Sequence, residues 1–249
     1  MDILQELDRL KTQLDVLRPL APDLLENLRE VYTVRLTYNS TAIEGNTLTE
    51  SETQIVLEKG ITIGGKSLQD HLDAINHADA IAFIRELAKS SLPISEWEIR
   101  QIHSLVCKGD RRAGAYRTVN VMAAGTNYRY PDAVKVPDLM AEFGDWLSQA
   151  DTHPLHPVEI AAEIHARCVT IHPFTDGNGR VARLLMNLHL LRTGYPLAVV
   201  KAAERAAYIE AVVAWQSGNS APLLAMVANY VKASALEILS LVEGEVDEG

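Results

Sequence analysis

The spacing of apolar residues along this 249-residue chain predicts a succession of helices. Leu7, Leu10, Leu14 and Leu17 recur at alternating intervals of three and four, which lines one face of a helix. Pro19 and Pro22 interrupt that pattern. A second helix is predicted from about Pro22, with Asp23 in its first turn, to Ile43, where Gly45-Asn46 supplies a stop. Thr49 or Ser51 opens a short helix that ends at Gly60. The helical pattern returns from Lys66 to Lys89, and Pro93-Ile94-Ser95 leads into another helix ending near Lys108. Further helical stretches lie at 135–149, 156–171, 179–193, 200–216 and 221–241. Residues 114–130 break the rhythm. Tyr116, Val119, Val121 and Tyr130 favour strand and Gly125-Thr126-Asn127 favours a turn, so a β-hairpin is expected over about 115–130. The expected organisation is all-α with one small β-hairpin. An N-terminal helix (1–20) precedes a single domain (21–241), and a frayed acidic tail (242–249) follows.

Composition narrows the function classes. Hydrophobic residues make up 47% and charged residues 22%, which argues against wholesale disorder. The 33 Asp+Glu outweigh 23 Lys+Arg to give a net charge of -10, so neither nucleic acid nor an anionic membrane is expected as a general partner. A local cationic pocket remains compatible with that balance. Cys107 and Cys168 lie in apolar segments and form no CxxC, which gives no sign of a disulfide framework or a zinc site. The N-terminus is charged from Asp2 onward, and no apolar run is expected to reach the roughly 20 residues that span a bilayer. A cytoplasmic location follows as the expectation. The N-terminal leucine face favours packing within the chain over a coiled-coil homodimer, although a homodimer stays open.

One motif is a decoy. Gly60-Ile61-Thr62-Ile63-Gly64-Gly65-Lys66-Ser67 fits the P-loop pattern GxxxxGK[ST]. A working P-loop follows a buried strand of a parallel sheet. Here the preceding residues are helical, so the segment reads as a Gly-rich connection between helices.

The segment from His172 to Arg183, HPFTDGNGRVAR, is different in kind. Apolar faces at Val158, Ala161, Ala162, Cys168 and Val169 before it, and at Val181, Leu184, Leu185, Leu188 and Leu191 after it, mark it as the loop between two core helices. Gly177, Asn178 and Gly179 can form an anion-binding nest at the positive end of the second helix. Arg180 and Arg183 sit in its first turns, where two cations call for an anion between them. Asp176 can hold a Mg²⁺ ion on phosphate oxygens, and His172 can serve as general base toward a hydroxyl. Together these residues form a phosphoryl- or nucleotidyl-transfer set.

This stretch resembles the Fic family signature HxFx[DE]GNGRxxR, and every specified position matches. The resemblance implies a Fic-type helical core in which the hairpin is a flap that pairs with an extended target segment, and it counts the flap residues Val121, Met122 and Ala123 among those that bind the nucleotide. It implies that His172 deprotonates a Ser, Thr or Tyr hydroxyl of a target protein, which attacks the α-phosphate of ATP and yields an AMP-modified protein. Asp176 would hold Mg²⁺; Gly177, Asn178 and Gly179 would bind phosphate oxygens; Arg180 and Arg183 would clamp the outer phosphates. Phe174 would anchor the core, and Tyr208 would lie on the adenine-side helix. Gly179 argues against the related Doc branch, which carries Lys there.

Ser40-Thr41-Ala42-Ile43-Glu44-Gly45-Asn46 also resembles the family's inhibitory pattern [ST]xxxE[GN], with Ser40 and Glu44 one helical turn apart. A carboxylate in a last helical turn opposes the helix dipole by roughly 0.3–1 kcal/mol. The resemblance implies that Glu44 instead pairs with Arg183 and fills the space of the ATP γ-phosphate. It leaves two alternatives to AMP transfer: removal of AMP from modified proteins at the same site, and a regulatory module that holds nucleotide with little transfer. His165, on the face of Ala161 and Cys168, is expected to be a packed histidine that supports the site.

Overall fold

The computed structural model describes residues 2–122 and 128–247, with side chains described for all of these except Asp151 and residues 243–247. Their α-helices are α1 (Ile3–Val16), α2 (Pro22–Ile43), α3 (Glu50–Lys59), α4 (Leu68–Ala88), α5 (Glu96–Val106), α6 (Val136–Ser148), α7 (Pro157–Ile171), α8 (Asn178–Arg192), α9 (Arg205–Gln216) and α10 (Ala221–Asp247). Local chemistry starts several of them. Thr49 with Glu52, Ser67 with Asp70 and Ser95 with Glu98 form reciprocal capping boxes at α3, α4 and α5. Each such cap contributes about 0.5–2 kcal/mol by satisfying amides that the helix leaves unpaired. The helix α10 stays helical to Asp247, beyond the point where fraying is expected from the acidic sequence.

The P-loop-like segment is a helix-to-helix connection. Gly60 ends α3 in the left-handed region at φ 62°, and Ser67 caps α4. Lys66 donates to the Thr47 carbonyl and lies 3.3 Å from Glu52, so its ammonium is already partnered.

The helices α7 and α8 pack on one another as a hairpin at the centre of the molecule. Burial continues around nearly the whole circumference of α8, from Asn178 through Leu190. On one side of this pair, α2, α4, α5 and α6 supply Tyr32, Ile84, Ile102, Met140 and Phe143 to the larger core. On the other, α1, α9 and α10 supply Leu7, Tyr208, Val227 and Val231. The leucine face of α1 closes on α10, where Leu10 and Leu14 meet Ala235.

Contrary to the expectation of no run of spanning length, residues 221–242 of α10 are long and apolar enough to cross a membrane by length and composition. The reason lies in the packing: Leu223, Val227, Ala228, Val231 and Ala235 are core. Two ion pairs, Arg35–Glu237 and Lys232–Glu6, also join this helix to α2 and α1.

No strand forms among the described residues, so the hairpin expected over 115–130 is not shown. Its turn, with Ala123, lies outside them. The flanking arms are irregular because side chains replace a ladder. Arg117 donates to the carbonyls of Val119 (3.0 Å) and Pro131 (2.6 Å). Asn120 meets Asp132 and accepts from the Ala133 amide.

Candidate active site

A helix buried on all sides cannot turn charged residues to solvent, so Arg180 and Arg183 must find partners inside the protein. They find different ones. Arg180 donates to Asp73 of α4 at 3.1 Å and to Asp176 at 3.0 Å. Arg183 donates to Ser40 Oγ (2.9 Å), the Ser40 carbonyl (2.8 Å), Glu44 Oε1 (2.8 Å) and the Tyr208 hydroxyl (3.2 Å). The two guanidiniums therefore diverge from the shared face that their spacing suggests.

The loop before them is closed by Asn178. Its side-chain carbonyl accepts from the Phe174 amide, and its side-chain amide donates to the Phe174 carbonyl, both at 2.9 Å. Both polar ends of that side chain are thereby used inside the loop. Phe174 is fully buried and stacks on His103 with ring centroids 3.7 Å apart. The His103 ring accepts from the Gly114 amide through Nδ1 and meets the Asp176 carbonyl at 3.2 Å through Nε2. Burial pushes His103 down to about 4, which keeps it neutral in that bridging tautomer.

His172 is the only non-glycine residue with positive φ among the described residues, at φ 52°. This left-handed turn ends α7 and directs the ring back onto its last turn, where Nδ1 lies 3.2 Å from the Val169 carbonyl. A carbonyl only accepts, so Nδ1 carries the proton and Nε2 keeps a lone pair. Burial, reinforced by Arg117, pushes the imidazole down to about 4, so it is neutral at pH 7. Tyr130 covers it, with ring centroids 4.0 Å apart.

Asp176 exposes 76% of its side chain, which leaves its carboxylate open to a ligand while one oxygen accepts from the Gly177 amide at 2.7 Å. Gly177 adopts φ 74°, and a Cβ there would meet Cys107 Sγ at 2.8 Å. The first helical bond of α8 runs from the Val181 amide to the Gly177 carbonyl, so the amides before it have no acceptor within the helix. Glu44 lies over this end. A Cβ on Gly179 would collide with Glu44 Oε1 and approach Arg183 Nη1 to 2.9 Å. A carboxylate thus rests where the helix terminus and Arg183 together attract an anion. The unfavourable position of Glu44 at the end of α2 is offset in this way, and Arg205 adds a 2.8 Å hydrogen bond to the Ile43 carbonyl.

Tyr208 is buried beside Arg183, and its hydroxyl lies 2.7 Å from His165 Nε2. It supports Arg183 from behind, while the resemblance implies the adenine side. Burial holds His165 down at about 3, so its neutral ring accepts from the tyrosine hydroxyl. Val121 is half-buried, Met122 is exposed, and Ala123 lies outside the described residues. Asp73, His103, Arg117 and Tyr130 join the site only in the folded chain, without a motif of their own in the sequence. The one local signal is His103, the polar member of the buried α5 stripe Ile99, Ile102 and Val106.

A family model described as Fic/DOC matches residues 93–190. Protein adenylyltransferase Fic of Nematostella vectensis is 36% identical over 204 residues, covering 81% of this chain and 47% of that protein. Protein adenylyltransferase fic-1 of Caenorhabditis elegans is 34% identical over 224 residues, covering 88% of this chain and 44% of that protein. This chain therefore spans less than half the length of either. A solved Fic-1 fragment from C. elegans superposes with a TM-score of 0.85 at 30% identity, covering 96% of this chain and 70% of that one. A Fic domain containing signaling protein from Bacteroides thetaiotaomicron gives 0.83 at 29% identity, covering 96% of both chains. The likeness takes in the helices that carry Glu44, Asp73 and Tyr208 as well as the loop itself, and the chain belongs to the Fic/DOC family.

Proposed function

We propose that this chain is a protein adenylyltransferase that moves AMP from ATP to a Ser, Thr or Tyr hydroxyl of another protein, and that Glu44 holds it off. The observation that carries this reading is the Glu44 carboxylate seated on Arg183 and over Gly179, at the anion-receiving end of α8, with a neutral imidazole close by in sequence and space. In the reaction, His172 Nε2 takes the hydroxyl proton as the hydroxyl oxygen bonds to the α-phosphorus. The bond from that phosphorus to the bridging oxygen breaks, and pyrophosphate leaves. The amides at the start of α8 and Arg183, once released by Glu44, supply positive potential for the phosphates.

Asp176 fits Mg²⁺ as a hard, exposed oxygen donor beside the phosphate site, since Mg²⁺ takes one or two carboxylates and leaves its other positions to phosphate and water. Bound there, the ion would offset charge on the phosphates. Val121, Met122 and Ala123 of the flap complete the nucleotide-binding set in this reading, and the arms of that segment are rooted beside His172 through Arg117.

The half-exposed Glu44 carboxylate also favours a second reading, removal of AMP from a modified protein with Glu44 orienting the water. Turnover of an independently AMP-modified protein by the wild-type chain, lost in Glu44→Gly, would support it. The primary test is mass spectrometry of a proteome incubated with Glu44→Gly, ATP and Mg²⁺. AMP adducts that vanish in Glu44→Gly/His172→Ala are expected. Adducts that persist without His172 sink the assigned base. Nucleotide binding without adducts would identify a regulatory module.

A further inference from the structure

Arg117 is a buried cation with 3% exposure, and among the described residues no carboxylate lies within ion-pair distance of it. Asp132 acts on it only from beyond that distance, and burial still holds its pKa below the usual arginine range, so its full set of neutral acceptors calls for a reason. Its Nε donates to the His172 carbonyl at 2.8 Å, Nη1 to the Val119 carbonyl and Nη2 to the Pro131 carbonyl. Its own amide donates to the Pro173 carbonyl at 2.9 Å. One planar fork therefore holds three pieces of chain in fixed relation: the strained residue that carries the base, and both arms at the root of the 117–131 segment.

The geometry has a direct consequence for the base. Pro131 follows Tyr130, whose ring lies 4.0 Å from the His172 ring at an interplanar angle of 30°. Fixing the Pro131 carbonyl thus fixes the ring that rests on the imidazole. Fixing the His172 carbonyl holds the left-handed turn that brings Nδ1 to the Val169 carbonyl.

We infer that Arg117 and Tyr130 are positioning residues that lock His172 in the Nδ1-protonated tautomer and tie its place to the arms flanking it. Neither residue donates to the anion end of α8. Their contribution falls on transfer rather than on nucleotide binding. The tautomer and the tie to the arms belong to the fold, and their effect on AMP transfer rests on the function proposed above.

The test uses the full chain carrying Glu44→Gly, with ¹⁵N-labelled histidine observed by NMR alongside α-labelled ATP transfer and ATP affinity. The parent is expected to show His172 protonated at Nδ1 and bare at Nε2. Arg117→Met and Tyr130→Leu are expected to move the His172 signals toward the opposite tautomer. Both are also expected to cut label transfer at least about ten-fold, the scale of a misplaced reacting group, with ATP affinity unchanged. Arg117→Lys, which keeps the charge and loses the fork, is expected to recover only part. Unchanged His172 signals in Arg117→Met and Tyr130→Leu would overturn the inference. If Arg117→Met does not fold, Tyr130→Leu decides it, because that ring is half-buried and outside the core. A tautomer shift in a protein that never transfers label would sustain the lock and remove the transfer reading.

Discussion

As the proposed general base, His172 meets two demands that pull apart, since a base needs a free lone pair and a desolvated imidazole is a weak base. The Val169 carbonyl settles the first by taking the Nδ1 proton. Burial sets the second by holding the group near 4. In Glu44→Gly the rate should therefore stay nearly constant from pH 8 to about 5.5 and fall only as pH approaches 4, where the imidazole becomes protonated. A limb near 6.5, the unperturbed histidine value, would show an exposed base instead. His172→Ala in the same background should lose about 10²–10⁴-fold in transfer, the usual contribution of a positioned base, measured by α-label incorporation. At this scale the motif residues are legible in sequence and their partners are not. Asp73 lies 107 residues from Arg180, and Ser40 lies 143 residues from Arg183. No local pattern encodes pairings at that separation, so the divergence of the two arginines emerges only in the folded chain.

At the scale of elements, the turn between α7 and α8 is held by Asn178, which meets both the amide and the carbonyl of Phe174. Asn178→Ala leaves two buried backbone groups unpaired, at about 1–3 kcal/mol each. The midpoint of thermal unfolding should fall by about 5 °C or more, read by circular dichroism. ATP binding should weaken with it, because the start of α8 loses its fixed relation to His172. An unchanged midpoint would show that the loop is held from elsewhere. The helices are legible because their stripes repeat within a few residues, and caps such as Ser67 with Asp70 are equally local. The hairpin expected over 115–130 is not shown among the described residues, for the opposite reason. Its residues favour strand, while its described arms are joined by Arg117 and Asn120 side chains in place of a backbone ladder.

Over the whole molecule, the net charge of -10 says little about a site built on buried cations. Three buried histidines, His77, His103 and His165, and the half-buried His172 have imidazoles pushed down to about 3, 4, 3 and 4, chiefly by desolvation. The unfolded chain binds protons at these groups near 6.5 while the folded chain does not. Their contribution to stability is complete above that pH and is lost progressively as pH falls toward 4. The unfolding midpoint should therefore be level above pH 7 and decline from about 6.5 downward, and a flat profile from pH 7 to 4.5 would contradict the neutral burial. The proposed switch is likewise spread across the fold, with Ser40 on α2 and Glu44 just past its end, Arg183 on α8 and Tyr208 on α9. Its most direct test is the initial rate of α-label transfer from saturating ATP to protein, measured side by side for the wild-type chain and Glu44→Gly. An increase of at least about ten-fold is expected, matching the release of a partly exposed carboxylate–arginine pair from the phosphate site. Equal rates in the two proteins would contradict the claim that Glu44 holds the enzyme off.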